Sequence, residues 1–424
     1  MRVQTRVKLS EAELAVPVES LKVTCIQTLG KLEAIETEWN GLFERARINS
    51  AFLSFPWMMT WWKHFGQRAQ LHVLAVRNPK GKLVGLAPFY VKSVICGGLP
   101  FHRLGLLADT HVGSDHLDLL AEPELQVKVA EAVALQIQLV DKQWSFAEFA
   151  NIKGEGTISL VLSYLTGSGA VADRVVKSTC YHIPLPNRFE TYLASVSGHL
   201  RRDFHRRWRV LSGLGDIDFI TVSTPSEVEQ HFPDLLRLHA KRFDFKDTAS
   251  AIFEPGVVEF HRDAVQALSR AGYVRLAMLR AKGVSIAGLY GFQCGDTFQY
   301  YQSGLDTDWY SYGLGKVMMG KGIEWAIKLD CADFDLLRGT EEYKTLWAQH
   351  SRQTYTAQIF EDSMAGRLVH GIKKGREVGR DAARSLQHRW NSMRVAPSQE
   401  IISGESKSEI VTRSIHRPSE GREQ

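Results

Sequence analysis

Nowhere does this chain of 424 residues carry a continuous apolar run approaching the roughly eighteen residues needed to cross a bilayer. Its opening, MRVQTRVKLSEAELAVPVES, lacks the unbroken apolar core of a secretory signal. Cysteine is sparse: Cys25, Cys96, Cys180, Cys294 and Cys331 are odd in number, far apart and free of any CxxC pair. That pattern argues against a disulfide framework and a structural zinc site, and a cytoplasmic protein is the expectation. Gly-x-Ser-x-Gly, Walker, HExxH and GxGxxG motifs are all absent, which removes serine-hydrolase, P-loop, zincin and dinucleotide readings. No carboxylate or histidine cluster has ligand spacing, so no metal is expected. The formal charge is only +5, too little to imply nucleic-acid binding without a concentrated patch.

What is present is ample core material. Hydrophobic residues make up 44% of the chain and charged residues 23%, the balance of a soluble globular protein. The length predicts two or three domains. Residues 1–20 read as a tail, 21–185 as a first α/β unit, and 186–362 as a second. Residues 363–396 read as a basic helical extension with Lys373, Lys374, Arg376, Arg380, Arg384 and Arg389, and 397–424 have the polar composition of a disordered tail. In the first unit, helical spacing is expected around Leu32–Phe43 and Trp57–Phe65, whose aromatics are core contacts. A hairpin is expected over Leu71–Arg77 and Leu83–Val91, with Pro88 marking an edge or bulge, because proline donates no ladder hydrogen bond. Asp115–Leu120 and Phe146–Ile152 read as strands, Leu125–Val140 as a helix, and Ser163–Ala170 as a loop.

The second unit repeats this programme. Helices are expected over Phe189–Leu200, Arg202–Leu211, the region of Phe232–His239 and Val257–Ala271. A meander follows over Val274–Ala281, Ser285–Cys294 and Thr297–Ser303, then a helix over Lys316–Leu329 and a short strand over Asp333–Leu337. Leu71–Tyr90 and Leu276–Phe292 correspond loosely, each a strand, a Lys-Gly turn and a strand, as a duplicated unit would give.

Chemistry concentrates at the junction of meander and helix. In Gly313-Leu314-Gly315, glycines permit close backbone approach, and a helix starting near Lys316 presents unpaired N–H groups to an anionic phosphate chain. Leu314 and Lys316 complete this candidate donor loop; a tight strand-to-helix turn is the plainer alternative. Acyl transfer needs a base for the nucleophile and an acid for the leaving thiolate, and Glu341 and Tyr343 follow the Asp333–Leu337 strand closely enough to serve. Asp306 is placed to position an acceptor or brace the loop through its backbone. Arg202, Arg206 and Arg209 share one helical face with His205, a stripe suited to phosphate, a polyanion or an anionic membrane, or simply a solvated face. His239 and Arg242 are placed to border an acceptor groove, with a buried core histidine as the plainer reading.

Four segments, LHVLAVRNPKGKLVGLAPFY, LRRDFHRRWRVL, IAGLYGFQCGDTFQYYQSGLD and FDLLRGTEEYKTLWAQH, resemble the acetyltransferase-like family associated with cellulose biosynthesis. That family is a branch of the GCN5-related N-acetyltransferase superfamily, and its architecture is similar to that of peptidoglycan aminoacyl transferases. The resemblance covers roughly Leu32 to Phe360. It implies an α/β fold: a tandem, duplicated GCN5-related N-acetyltransferase-like arrangement with mixed central sheets flanked by helices. It also implies an acyl-coenzyme A donor. In the superfamily an Arg or Gln usually stands three residues before the first loop glycine; Tyr310 holds that place here. The expected reaction is transfer of an acetyl or longer acyl group from acyl-coenzyme A to an amine or hydroxyl of a small-molecule or saccharide acceptor. Two alternatives are aminoacyl transfer from charged tRNA and a non-catalytic role in polysaccharide synthesis or at the inner face of the membrane.

Overall fold

The computed structural model describes residues 21–140, 144–167, 170–245, 247, 249–376 and 378. Both expected tails and most of the basic extension lie outside the described residues. In the first half, strand β1 (Lys22–Ile26) precedes helices α1 (Leu29–Glu33), α2 (Glu36–Arg45) and α3 (Phe55–Phe65). Strands β2 (Ala69–Arg77), β3 (Leu83–Cys96), β4 (Leu99–Leu106) and β5 (Leu120–Ala121) follow, then α4 (Gln126–Leu135), β6 (Phe146–Lys153), α5 (Thr157–Gly167) and β7 (Val171–Pro184). The second half contributes α6 (Phe189–Ser195), α7 (Gly198–Ser212), β8 (Ile217–Val222), α8 (Pro225–Phe245) and α9 (Val257–Arg270). It continues with β9 (Val274–Ala281), β10 (Val284–Cys294), β11 (Thr297–Leu305), α10 (Leu314–Lys328), β12 (Asp333–Arg338), α11 (Glu342–Trp347) and β13 (His350–Phe360). Residues 364–376 are helical.

These strands join one mixed sheet in the order β1-β2-β3-β4-β6-β13-β7-β12-β11-β10-β9-β8, with β5 paired to β3. The fold is therefore mixed α/β, a large mixed sheet flanked by helices. The two expected strand–turn–strand units are β2–β3 and β9–β10, with Gly81 and Gly283 supplying the positive φ of their turns. β13 pairs antiparallel with both β6 and β7, so the last strand of the second half lies between two strands of the first. The described residues from 21 through Ile372 form one compact unit.

The core follows from the aromatic helices. Trp57 and Trp61 of α3 are buried. Trp57 packs edge-on against Phe260 of α9 at 5.0 Å and Phe292 of β10 at 5.6 Å, tying the halves together. The α9 helix ends where Gly272 adopts φ 79° and the Tyr273 N–H returns to the Leu268 carbonyl, as a glycine stop predicts.

Three expectations are corrected. Pro88 sits inside β3, between β2 and β4, opposite Val73. Its carbonyl accepts from Leu107 N–H just past the end of the β4 ladder, so its missing N–H falls where that ladder stops. Asp115–Leu120 is mostly irregular, with one bridge from Leu117 to Ile152, because the Asp118 carboxylate turns to the backbone N–H groups of Leu119 and Ile158 instead. Ser163–Gly167 is the end of α5, since Val161, Leu162 and Leu165 give that segment a buried helical face.

Candidate functional site

β11 and β12 run parallel but pair over only Thr297–Gln299 with Asp333–Asp335. Beyond those residues they part, and a cleft of about 550 Å³ opens along their C-terminal ends. One wall carries Tyr300, Tyr301 and Ser303 of β11 and Arg338 of β12; Glu341, Tyr343 and Lys344 follow just after. The lining also takes Asp109, Asp115 and Asn151 from the first half, and Arg242, Phe243 and Ser250 from α8 and the turn after it. Separated ends of neighbouring parallel strands are a general place for a ligand, because the side chains there are not covered by a partner strand.

Local backbone irregularity sets the end of β12. The Asp335 carboxylate accepts the Leu337 N–H at 2.8 Å, and Leu337 takes φ 56°, a bulge in the ladder with β7, which resumes where Arg338 pairs with Cys180. There Arg338 donates from its backbone to Asp115 Oδ2 at 3.0 Å and from its guanidinium to Asn151 Oδ1 at 3.0 Å. Beneath lies a second buried pair, His116 Nε2 with Asp335 Oδ2 at 2.8 Å. Burial alone would raise the Asp335 pKa, but the His116 charge and hydrogen bond hold it at about 2. Burial pushes Asp115 upward against the pull of Arg338, and raises Asp109 to about 6 despite Arg103 and Tyr90.

Of the sequence-derived candidates, Glu341, Tyr343 and Arg242 line this cleft. Glu341 is more than half exposed and lies 3.2 Å from Lys344, whose ammonium also donates to the Arg338 carbonyl at 2.5 Å. Tyr343 is deeply seated, and burial, reinforced by Tyr300, raises its phenol pKa. Arg242 donates to Ser303 Oγ at 2.6 Å. His239, one turn earlier on α8, is buried and touches the cleft lining through Ser250, whose Oγ lies 2.8 Å from Nε2, and through Ser303, whose carbonyl lies 2.8 Å from Nδ1.

The glycine loop sits at the far end of β11, outside the cleft lining. Gly313 caps α10 at φ 66°, and the Lys316 and Val317 N–H groups turn back to its carbonyl. The Leu314 and Gly315 N–H groups then have no intrahelical carbonyl to meet. Gly315 is exposed; a Cβ there would meet only Leu305 Cδ1, at 3.6 Å. Over Gly313 lies the half-buried Arg207 of α7, which the sequence reading did not single out. Asp203, the one acid in that basic run, holds Arg207 at 3.0 Å, Arg206 at 2.6 Å and Lys316 at 2.6 Å. Its position four residues before Arg207 was the available signal. These cations outweigh the desolvation of the Asp203 carboxyl and lower its pKa.

The other candidates are dispersed. Arg202, Arg206 and Arg209 lie exposed on the outer face of α7. Asp306 accepts the Asp308 N–H at 3.0 Å and pairs with Lys241 at 2.5 Å, bracing the turn before the loop rather than entering the cleft. Tyr310 is 71% exposed and packs on Phe245 at 5.4 Å. Among the described residues no cluster of His, Cys, Asp and Glu is placed to hold a metal ion, and no helix is long and apolar enough to cross a membrane.

Residues 198–345 match the family model described as "Acetyltransferase (GNAT) domain". That span contains α7, the glycine loop, the parting strands, Glu341 and Tyr343. No curated protein aligns with the chain at a significant level. Among solved structures, FemX is similar in fold at 10% identity and TM-score 0.56, covering 79% of this chain and 96% of its own. L-PGS from Bacillus licheniformis gives 11% identity and TM-score 0.45, covering 84% and 97%. A tandem GNAT protein from the clavulanic acid biosynthesis pathway gives 11% and 0.38, covering 80% and 98%. Residues 198–345 thus match a GNAT-type acetyltransferase domain, and the chain is an enzyme acting as a transferase.

Proposed function

We propose that the protein transfers an acetyl or longer acyl group from acyl-coenzyme A to an amine or hydroxyl of a small-molecule or saccharide acceptor. The observation that carries this reading is the conjunction of an open helix N-terminus at Gly315 with two neighbouring parallel strands, β11 and β12, whose pairing ends at Gln299 and Asp335. The Leu314 and Gly315 N–H groups, with Arg207 and Lys316, suit the pyrophosphate, since a helix start offers both donors and positive potential. A slot between β11 and β12 suits the extended arm that ends in the thioester. The acceptor then belongs in the cleft, between the 21–185 and 186–362 halves.

In this scheme the nucleophile attacks the thioester carbonyl carbon, the C–S bond breaks, and its electron pair leaves on sulfur. Glu341 takes the proton of the nucleophile. Tyr343, kept protonated by burial, gives its own to the departing thiolate. Holding donor and acceptor in register supplies much of the rate enhancement. Asp306 acts at a distance, by fixing the turn that leads into the loop.

A second reading, aminoacyl transfer from charged tRNA, is favoured by the exposed Arg202, Arg206 and Arg209 face beside the start of α10. The same face suits an anionic membrane or a polysaccharide-synthesis partner, the setting implied by the family resemblance, with the protein cytoplasmic or peripheral at the inner face. Calorimetric titration with acetyl-coenzyme A, a longer acyl-coenzyme A and charged tRNA separates these readings. Acyl-coenzyme A binding that Gly315→Leu weakens supports the first. Salt-sensitive tRNA binding with no response to coenzyme A esters supports the second and overturns the first.

A further inference from the structure

His239 and Ser250 form a hydrogen-bonded chain whose direction is fixed. His239 Nδ1 lies 2.8 Å from the Ser303 carbonyl oxygen. A carbonyl only accepts, so Nδ1 carries a proton. Phe243 at 4.6 Å and Phe253 at 5.7 Å enclose the ring, and burial draws its pKa down to about 4. A neutral ring with its proton on Nδ1 presents a bare lone pair at Nε2, and the group facing that lone pair at 2.8 Å is the Ser250 hydroxyl. Ser250 must donate there. Ser250 lines the cleft, and its oxygen has only acceptor capacity left to offer, part of it shared with the Ile252 N–H at 3.4 Å.

Glu341, in the same cleft, is likewise an acceptor when ionised. Two acceptors facing one nucleophile discriminate between nucleophiles. A neutral primary amine has two N–H groups and a lone pair: it satisfies both acceptors and keeps the pair free for attack. An alcohol has a single proton and leaves one acceptor unmet, at a cost.

We propose that Ser250 is a positioning residue that selects a primary-amine acceptor, taking one N–H while Glu341 takes the proton that is lost. This rests on the acyl-transfer reading above. In the step, the N–C bond forms, the C–S bond breaks with its electrons on sulfur, and the departing proton passes from nitrogen to the Glu341 carboxylate. Ser250 and His239 keep their own protons throughout.

The test compares an amino sugar with its parent sugar as acceptors for acetyl-coenzyme A, following thiol release by wild type, Ser250→Ala and Ser250→Thr. Wild type is expected to prefer the amine. Ser250→Ala is expected to lower kcat for the amine by about three- to tenfold, with the KM for acetyl-coenzyme A unchanged, little loss for the alcohol, and recovery in Ser250→Thr. Loosening of the turn that Ser250 caps would depress both acceptors alike, and that result, or an unchanged amine rate, overturns the proposal. Imidazole ¹⁵N spectra at neutral pH give a second arm independent of turnover: Nδ1 protonated and Nε2 bare supports the chain, and a protonated Nε2 overturns it. A wild type that binds no acetyl-coenzyme A would instead fell the donor reading, and the imidazole spectrum then decides the Ser250 assignment alone.

Discussion

Replacing Gly315 with leucine separates the two roles of the α10 start, because it should move folding and binding in opposite directions. Gly315 is exposed, has helical backbone geometry, and its added Cβ would touch only Leu305 Cδ1 at 3.6 Å. Removing a glycine from a helix gains about 0.5–1 kcal/mol by restricting the unfolded chain, so stability should hold or rise slightly. Binding should behave otherwise. A backbone hydrogen bond to a charged group contributes about 1.5–3 kcal/mol, so blocking one N–H from a phosphate should weaken affinity roughly ten- to hundredfold. Denaturant unfolding followed by titration with acetyl-coenzyme A measures both quantities on one preparation. A variant as stable as wild type that binds the donor equally well would refute the cradle. Simultaneous loss of folding and binding would show that the turn is only structural.

Gly313→Ala should behave differently. At φ 66° an L-residue costs about 1–2 kcal/mol, and its Cβ would collide with the Arg207 guanidinium, so stability should drop and donor affinity with it. Glu341→Gln should leave unfolding unchanged, since the side chain is more than half exposed, and cut the transfer rate across pH 6–9; a full rate over that range removes the proposed base. Asp335→Asn should destabilise the protein by about 3–5 kcal/mol, the usual cost of breaking a buried ion pair by removing one partner, read from the unfolding midpoint. For wild type the sign follows from the depressed Asp335 value. Its stabilisation is complete above pH ~4 and is lost as pH falls toward 2, so acid unfolding in that window should be blunted in Asp335→Asn.

Short apolar runs bounded by a glycine turn made the β9–β11 meander legible in the sequence, down to the turn at Gly283, and the glycine loop marked the start of α10. β7 and β13 escaped for the opposite reason. They pair mainly with each other, and Val175 and Val176 of β7 both stand exposed, so no period-two face marks the strand. The glycine loop, Glu341 and Tyr343 were visible because they follow strands that were themselves visible. Asp109 and Asp115 were not, because the segment between β4 and β5 is irregular, with positive φ at Ala108, His111 and His116, and irregular backbone carries no periodic signature. Ser250 was hidden similarly. Its importance comes from lying opposite His239, a relation set by how α8 meets the following turn and not by spacing in the chain.

The seat of β13 between β6 and β7 has a consequence for how the protein can be divided. A fragment ending near residue 185 would expose hydrogen-bonding groups along β6 and β7 that only a strand made some 170 residues later can cover. Neither half can therefore be excised as a self-sufficient module. During synthesis the first half must wait with open seams until His350–Phe360 arrives, which makes that closing strand the step at which a nascent chain is most exposed to association with its neighbours.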